Sequence, residues 1–199
     1  MTHRSQAASI TVWYILSDMS NVSPAKRRSR LLFELILLTV FGTLMFATKI
    51  AMAVLPNIHL IGMFIMVFTI VFRSKALISV YVYVLLEGFI YGFGTWWISY
   101  LYVWAILWGI TMLIPRRLPK GMLAVIYPIV CALHGFSFGA LCAPIEAIVH
   151  NFRFEQMLTY IAMGFPFDVS HGIGNFCFGL LVLPLSIVLD RLKRNSRLA

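Results

Sequence analysis

Apolar residues dominate this chain in six long runs, and short polar connections separate them. The runs cover residues 31–55, 58–72, 76–93, 96–114, 122–149 and 165–189. A helix needs about 20 predominantly apolar residues to cross a bilayer. The pattern therefore predicts an all-α membrane protein with a bundle of six transmembrane helices, of which the second is short. The fifth contains Pro128 and Pro144, which predict a tilt or a kink.

The polar connections alternate between two kinds along the chain. One kind is basic and comprises residues 26–30, 73–75, 116–120 and 191–197. The other kind has almost no basic residues and comprises 56–57, 94–95 and 150–164, with a single Arg153. Cytoplasmic loops are enriched in Lys and Arg, so this alternation predicts that both termini are cytoplasmic. The last outer connection is the longest and has room for a short interfacial helix.

Three regions follow from this topology. Residues 1–30 are predicted to be a cytoplasmic or interfacial tail, because the apolar stretch 10–16 is too short to span and no signal-peptide cleavage site follows it. Residues 31–190 are the predicted transmembrane domain, and residues 191–199 a basic cytoplasmic tail.

Composition supports the membrane assignment. Of 199 residues, 61% are hydrophobic and only 12% are charged, about half the charge of a typical soluble domain. The net charge of +9 is spread over the short connections, which favours contact with anionic lipid over nucleic-acid binding. Cys131, Cys142 and Cys177 lie in apolar runs without CxxC spacing. We interpret them as packing residues, neither disulfides nor metal ligands.

Nearly all polar side chains inside the predicted spans lie in the outer half of the membrane, with His134 near the middle of the fifth span and the inner half apolar. Those concerned are Lys49, Glu87, His134, Glu146, His150, Asp168, His171 and Asn175. A pore or proton pathway needs polar groups through the full depth. The asymmetry instead favours a cup that opens to the outside.

Two groups of these residues share a helical face. Asp168, His171 and Asn175 are spaced i, i+3 and i+7 in the sixth span, and Glu146 and His150 are spaced i, i+4 before it. One hypothesis is that they bind a ligand; the alternative is that they satisfy one another or a backbone kink. Lys49 and Glu87 have the same two interpretations, a charge-neutralising pair or ligand contacts.

Aromatic residues mark the outer interface. Trp96 and Trp97 lie there with Tyr91 and Tyr100, and an aromatic belt accounts for most of them. At the rim of a polar cup, the two tryptophans would also suit a flat heteroaromatic ligand. No helical zinc signature or nucleotide-binding motif is present in the sequence.

Three features together resemble the substrate-binding S component of energy-coupling factor (ECF) vitamin transporters. The first is the layout of six spans with both termini inside. The second is the sequence at residues 47–53 followed by 55–59, and the third is the run at residues 164–175. The resemblance covers about residues 31–190.

The resemblance implies a bacterial or archaeal plasma-membrane subunit that binds a vitamin, its precursor or a nucleobase-like molecule from outside. It would then dock on a T subunit driven by two ATPases, with Ala47 and Ala51 as small docking residues, and would have no cofactor and no catalytic activity. The implied ligand residues are Asn57, His59, Glu146, His150, Asp168, His171 and Asn175, to which the rim tryptophans Trp96 and Trp97 are added.

Two other functions remain open from the sequence. One is a self-sufficient secondary transporter or channel. The other is a small intramembrane enzyme that uses Asp168, His171 and Glu146, with or without a metal ion. The identity of the ligand also stays open, because carboxylates, imidazoles and amides recognise many polar groups.

Overall fold

The computed structural model describes residues 24–196, with side chains from residue 28 onwards. The predictions for residues 1–23 and 197–199 lie outside this range. The described residues are all-helical and contain no strand. Eight α-helices follow one another: α1 Pro24–Ala51, α2 Ile61–Phe72, α3 Ala76–Tyr91, α4 Thr95–Leu113, α5 Lys120–Phe136, α6 Phe138–Val149, α7 Phe154–Gly179 and α8 Val182–Asn195.

The chain divides into two compact units, residues 1–36 and residues 37–199. In the first unit the described residues form the beginning of α1, with exposed apolar side chains such as Leu32 and Phe33. The helix therefore begins at Pro24, before the predicted start of the first span at residue 31. The second unit holds the remaining helices and all of the contacts described below.

A tight reversal joins α2 to α3. Arg73 lies between them with a left-handed φ of 57°, a conformation that costs a non-glycine residue about 1 kcal/mol or more. Two hydrogen bonds to α4 hold it: the Arg73 guanidinium donates to the Met112 carbonyl, and the Trp108 indole donates to the Arg73 carbonyl, each at 3.1 Å.

The contacts that α2 and α3 make with α4 show that these two helices run in opposite directions. His59, just before α2, lies against Trp104 of α4, and Ile70 near the end of α2 receives a hydrogen bond from Arg116 beyond the end of α4. Along α3 the order is reversed, because Val84 contacts Trp97 near the start of α4. The continuous helical stretch from residue 61 to 91 is therefore a hairpin of two short helices.

The later helices form two longer segments, each with one interruption. Ser137 interrupts the path from α5 to α6, and α7 and α8 meet at an angle of 48°. The connection predicted at residues 150–164 is largely helical, because α7 begins at Phe154 and continues into the sixth apolar run. The Gln156 side chain accepts the Arg153 backbone N–H at 2.8 Å and so caps the helix at this early start.

Polarity in the bundle is inverted relative to a soluble protein. Four helical segments are long and apolar enough to cross a membrane, or five if the bent α7–α8 pair is one span; this count takes the α2–α3 hairpin, residues 61–91, as one segment. Large apolar side chains such as Phe89 (70% exposed) and Met163 (74% exposed) lie on the surface, whereas Glu87, His134 and Asn175 are buried. This arrangement is that of a membrane protein, whose surface apolar residues contact lipid.

Basic side chains of the second unit gather at one end of its helices, which we call the basic end. There Arg116 donates to the Ile70 carbonyl, and Lys193 donates to the Val71 carbonyl at 3.2 Å. Both carbonyls belong to the last turn of α2, where the helix itself leaves them unpaired and where the dipole favours cations. The basic clusters therefore also cap helices.

Candidate functional site

A cavity lies at the opposite end of the second unit, which we call the cavity end. Its volume is about 290 Å³, and seven of its twelve lining residues come from the connection between α1 and α2, at positions 52, 53 and 55–59. This volume equals about ten water molecules at ~30 Å³ each. It lies near the lower limit for small-molecule pockets, so it suits a compact ligand of one or two rings.

The connection that covers the cavity is folded into successive tight turns. Backbone hydrogen bonds join Ala53 to Ile50, Leu55 to Met52 and Ile58 to Leu55. Asn57 has a left-handed φ of 58°, which asparagine tolerates better than most residues. The sequence Pro56-Asn57 therefore turns the chain over the cavity and into α2.

Lys49 supplies the charge on the cavity wall. Its ammonium group donates to a carboxylate oxygen of Glu87 on α3, and it lies 5.7 Å from the ring centre of Tyr91 and 5.5 Å from that of Tyr100. The Lys49 side chain is 27% exposed and that of Glu87 only 1%. Both interpretations of Lys49 thus have support in the structure, because it pairs with Glu87 and also lines the cavity.

Aromatic rings form the other part of the lining. His171 of α7 lies with its ring centre 4.7 Å from His59 and 4.8 Å from Phe138. His59 also lies 5.9 Å from Trp104, which is fully buried behind it. Edge-on contacts of this kind fix the ring orientations, so the cavity has a firm aromatic surface opposite Lys49.

Several buried polar atoms around the cavity have no hydrogen-bond partner within the described part of the chain. Two belong to residues that line the cavity, His59 Nδ1 and His171 Nε2, and a third, Glu87 Oε1, belongs to the ion-pair partner of the lining residue Lys49. Such atoms are rare in proteins, because leaving one unpaired costs about 1–3 kcal/mol. Their concentration beside one cavity indicates a site that is built to receive polar groups.

A second layer of polar groups lies beneath the cavity. His134 Nε2 donates to the Val103 carbonyl at 3.0 Å, so its Nδ1 carries no proton when the ring is neutral. That Nδ1 and Asn175 Oδ1 are buried acceptors without a partner among the described residues. The Asn175 amide N–H donates to the Cys131 carbonyl at 3.2 Å, so this residue stabilises the contact between α5 and α7.

Burial of the His59 ring favours its neutral form. Burial, with a smaller effect from the nearby positive charge of Lys49, lowers the pKa of His59 to about 4, against the opposing effect of a backbone hydrogen bond. His59 lies between α1 and α2, outside the helical segments. At neutral pH its imidazole therefore offers one donor and one acceptor and no charge.

Asp168, a predicted ligand residue, caps a helix instead of lining the cavity. The backbone N–H of Gly139 points at its carboxylate, with oxygen distances of 3.0 and 3.1 Å. Gly139 lies in the first turn of α6, where amide groups lack intrahelical partners and the dipole favours an anion. The break at Ser137 creates this helix start, so the structure favours the kink-satisfying interpretation for Asp168.

Glu146 and His150 form a separate pair away from the cavity lining. His150 Nε2 lies 3.3 Å from one Glu146 oxygen, and the Thr95 hydroxyl donates to the other at 2.7 Å. Together these contacts connect the end of α6 to the start of α4.

The two rim tryptophans also pack outside the cavity lining. Trp97 donates its indole N–H to the Val84 carbonyl at 2.8 Å, and Trp96 packs on Tyr100 with ring centres 5.2 Å apart. Through Tyr100, Trp96 supports the cavity wall without forming it.

Of the nine predicted ligand residues, the cavity gathers Asn57, His59 and His171. The sequence analysis assigned Tyr91 and Tyr100 to the aromatic belt and did not single out Phe138. The proximity of Lys49 to two aromatic rings was not visible from spacing, because the residues lie on three different elements. Within the described residues, no three His, Cys, Asp or Glu side chains are placed to hold a metal ion.

Comparisons with protein-family models, with curated proteins and with solved structures give no match for this chain.

Proposed function

We propose that this protein is a membrane-embedded capture subunit that binds a small heteroaromatic molecule, such as a vitamin, its precursor or a nucleobase, in the cavity beside Lys49. The observation that carries the proposal is the composition of this cavity. It combines one cation with an aromatic surface and unpartnered polar atoms in a volume of about 290 Å³.

The chemistry of the lining defines the ligand class. The edge-on rings of Tyr100, His171 and Phe138 suit a flat ring system. The Lys49 ammonium has three N–H donors, of which one serves Glu87. Its remaining donors would bind a carbonyl or ring-nitrogen acceptor of the ligand, and the His59 and His171 rings would bind its other polar edge.

The proposal includes six membrane passes with both termini in the cytoplasm of a bacterial or archaeal cell. The hairpin of α2 and α3 supports two passes within one continuous helical stretch, although its arms of 12 and 16 residues are short for a bilayer. With α5–α6 and α7–α8 each counted as one pass, the basic end becomes cytoplasmic by the positive-inside rule. The cavity then opens to the outside.

The distribution of polar groups supports capture over conduction. Lys49, His59 and His171 lie at the cavity end, whereas Phe41, Phe68 and Phe72 pack together towards the basic end. These rings offer no polar groups to a pathway between α1 and α2. We therefore propose that ligand release requires partner subunits and that the chain itself performs no chemical reaction.

The partners in this proposal are the T subunit and two ATPases of an ECF-type importer, as the sequence resemblance implies. Ala47 and Ala51 are both exposed on α1 and are one turn apart. Small residues at this spacing permit close approach of another helix, which supports their proposed role in docking.

Native mass spectrometry of the detergent-purified chain tests the proposal. The wild type should carry a co-purified small molecule, or bind one from a panel of vitamins and nucleobases at equimolar stoichiometry. The Ala53→Trp variant should lose this binding, because a large ring would fill the cavity that Ala53 lines. The Ala140→Trp variant is the matched control, since Ala140 is exposed and does not line the cavity.

Equal ligand occupancy in the wild type and both variants would place the binding site elsewhere. Absence of any bound molecule across the panel in a folded wild-type sample would contradict the capture function.

A further inference from the structure

A second cavity lies at the basic end of the bundle, remote from the Lys49 cavity. Its volume is about 410 Å³, and it is enclosed by the end of α2, the connection between α4 and α5, the first half of α5, and α8. The lining has a charged part and an apolar part. This division is typical of sites for amphiphilic molecules.

Three cations and one carboxylate form the charged part: Arg116, Lys120, Arg194 and Asp190. Arg116 is held in place by its hydrogen bond to the Ile70 carbonyl. A guanidinium group has five N–H donors in a rigid fork, so this bond leaves the others for a second acceptor. Arg194 pairs with Asp190 one turn earlier on α8. The excess of cations favours an anionic ligand.

Apolar side chains of both helices form the other part of the lining. Leu123 of α5 and Leu183 and Ile187 of α8 line the cavity, and the two α8 side chains are half-buried. An acyl chain could lie against these side chains while the headgroup occupies the charged part. A soluble phosphate would leave the apolar part of the cavity unused.

We infer that the Arg116–Lys120–Arg194 cavity binds the phosphate-bearing headgroup of an anionic membrane lipid. Arg116 donates to the phosphate oxygens as a fixed fork, and Lys120 and Arg194 neutralise the charge from either side. Basic residues next to a membrane each contribute about 1 kcal/mol to the attraction of anionic lipid. Three of them in one cavity give a defined site instead of a diffuse attraction.

Native mass spectrometry of the full-length, delipidated chain in a zwitterionic detergent tests the inference. Phosphatidylglycerol and phosphatidylcholine with the same acyl chains are titrated separately. We expect one phosphatidylglycerol to bind preferentially. Arg116→Gln and Lys120→Gln should each weaken this binding about fivefold, equivalent to about 1 kcal/mol. Asp190→Asn should strengthen it, because it removes the competing carboxylate.

The Arg117→Gln variant is the matched control, since Arg117 is adjacent in sequence and equally charged but does not line the cavity. It should bind phosphatidylglycerol within twofold of the wild type. Arg116→Gln removes the hydrogen bond to the Ile70 carbonyl and can therefore change the stability of the fold. Lys120→Gln leaves that hydrogen bond in place, so it tests the charge of the cavity separately. The thermal stability of each variant without lipid is measured in parallel.

Three results would overturn the inference. One is an equal loss of affinity in Arg117→Gln and Lys120→Gln, which would show a general charge effect. Another is equal binding of the two lipids. The third is binding of glycerol phosphate, titrated alone, as tightly as phosphatidylglycerol, which would assign the site to soluble phosphate compounds instead of lipid.

Discussion

The contact between α5 and α7 is so close at Gly135 that a single methyl group should disturb it. A Cβ atom at Gly135 would lie 2.8 Å from the Cα of Gly172 and 2.9 Å from the Asn175 amide nitrogen. Ordinary van der Waals contact begins at about 3.4 Å, so the helices would have to separate by about 0.6 Å. The nearest obstacle is backbone, which has no rotamer to change.

The expected cost of Gly135→Ala follows from two opposing effects. Overpacking of a tight interface costs about 1–3 kcal/mol, and replacing glycine by alanine within a helix returns about 1 kcal/mol. The net loss of unfolding free energy is therefore up to about 2 kcal/mol. For a chain of this size that loss lowers the melting temperature by up to about 8 °C. Ligand binding should weaken as well, because His171 precedes Gly172 on the displaced helix.

Thermal unfolding of the detergent-solubilised protein measures this effect, with Gly164→Ala as the control. Gly164 lies within α7, and a Cβ atom there would meet nothing within 4 Å. Its alanine variant should be as stable as the wild type or more stable by up to about 1 kcal/mol. If Gly135→Ala is as stable as Gly164→Ala, the two helices do not approach as closely as described.

Three further perturbations, two at the wall of the Lys49 cavity and one outside it, are measured by thermal unfolding. Lys49→Met should lower the unfolding free energy by about 3 kcal/mol, because it leaves Glu87 buried without its cation. The added substitution Glu87→Gln should recover most of that loss, and a double variant no more stable than Lys49→Met would contradict the pairing. The low pKa of His59, about 4 against an ordinary value of 6.5, means that the unfolded chain takes up its proton first as the pH falls. Stability should therefore decrease between pH 6.5 and pH 4, and His59→Gln should remove part of that decrease; an unchanged pH profile would refute the assignment. Trp97→Phe should cost about 1 kcal/mol through the lost hydrogen bond to an α3 carbonyl, and Trp96→Phe should cost less.

Helix positions were largely predictable from the sequence. Long apolar runs indicate helices in an apolar environment, and the basic connections between them indicate where the helices end. The arms of the α2–α3 hairpin match the second and third predicted runs to within three residues at each end. The early start of α7 was not predicted, because Glu155, Gln156 and Thr159 interrupt a stretch that is otherwise mostly apolar. A local cap at Gln156 and the neighbouring helices define that start instead.

The candidate site was only partly predictable, for a reason that Asp168 illustrates. Helical spacing places Asp168 and His171 on one face, but depth and partners decide what each residue does. Asp168 accepts the backbone N–H of Gly139 at a break between two helices, and the sequence pattern does not predict this break. His171, one turn deeper, reaches the cavity. Lys49 lies in the site beside aromatic rings of two other helices. Its position could be predicted only from how these helices pack.

The accessibility of Asn57 tests most directly whether the Lys49 cavity is a binding site entered from outside. An Asn57→Cys variant, with Cys131, Cys142 and Cys177 replaced by alanine, is treated with a membrane-impermeant maleimide in sealed vesicles of known orientation. A Lys120→Cys variant at the basic end provides the comparison. We expect the Asn57 position to react only from outside, and more slowly when a vitamin or nucleobase of the panel is bound, whereas the Lys120 position reacts only from inside. Reaction at the Asn57 position from the cytoplasmic side, or a rate that none of these compounds changes, would contradict the account.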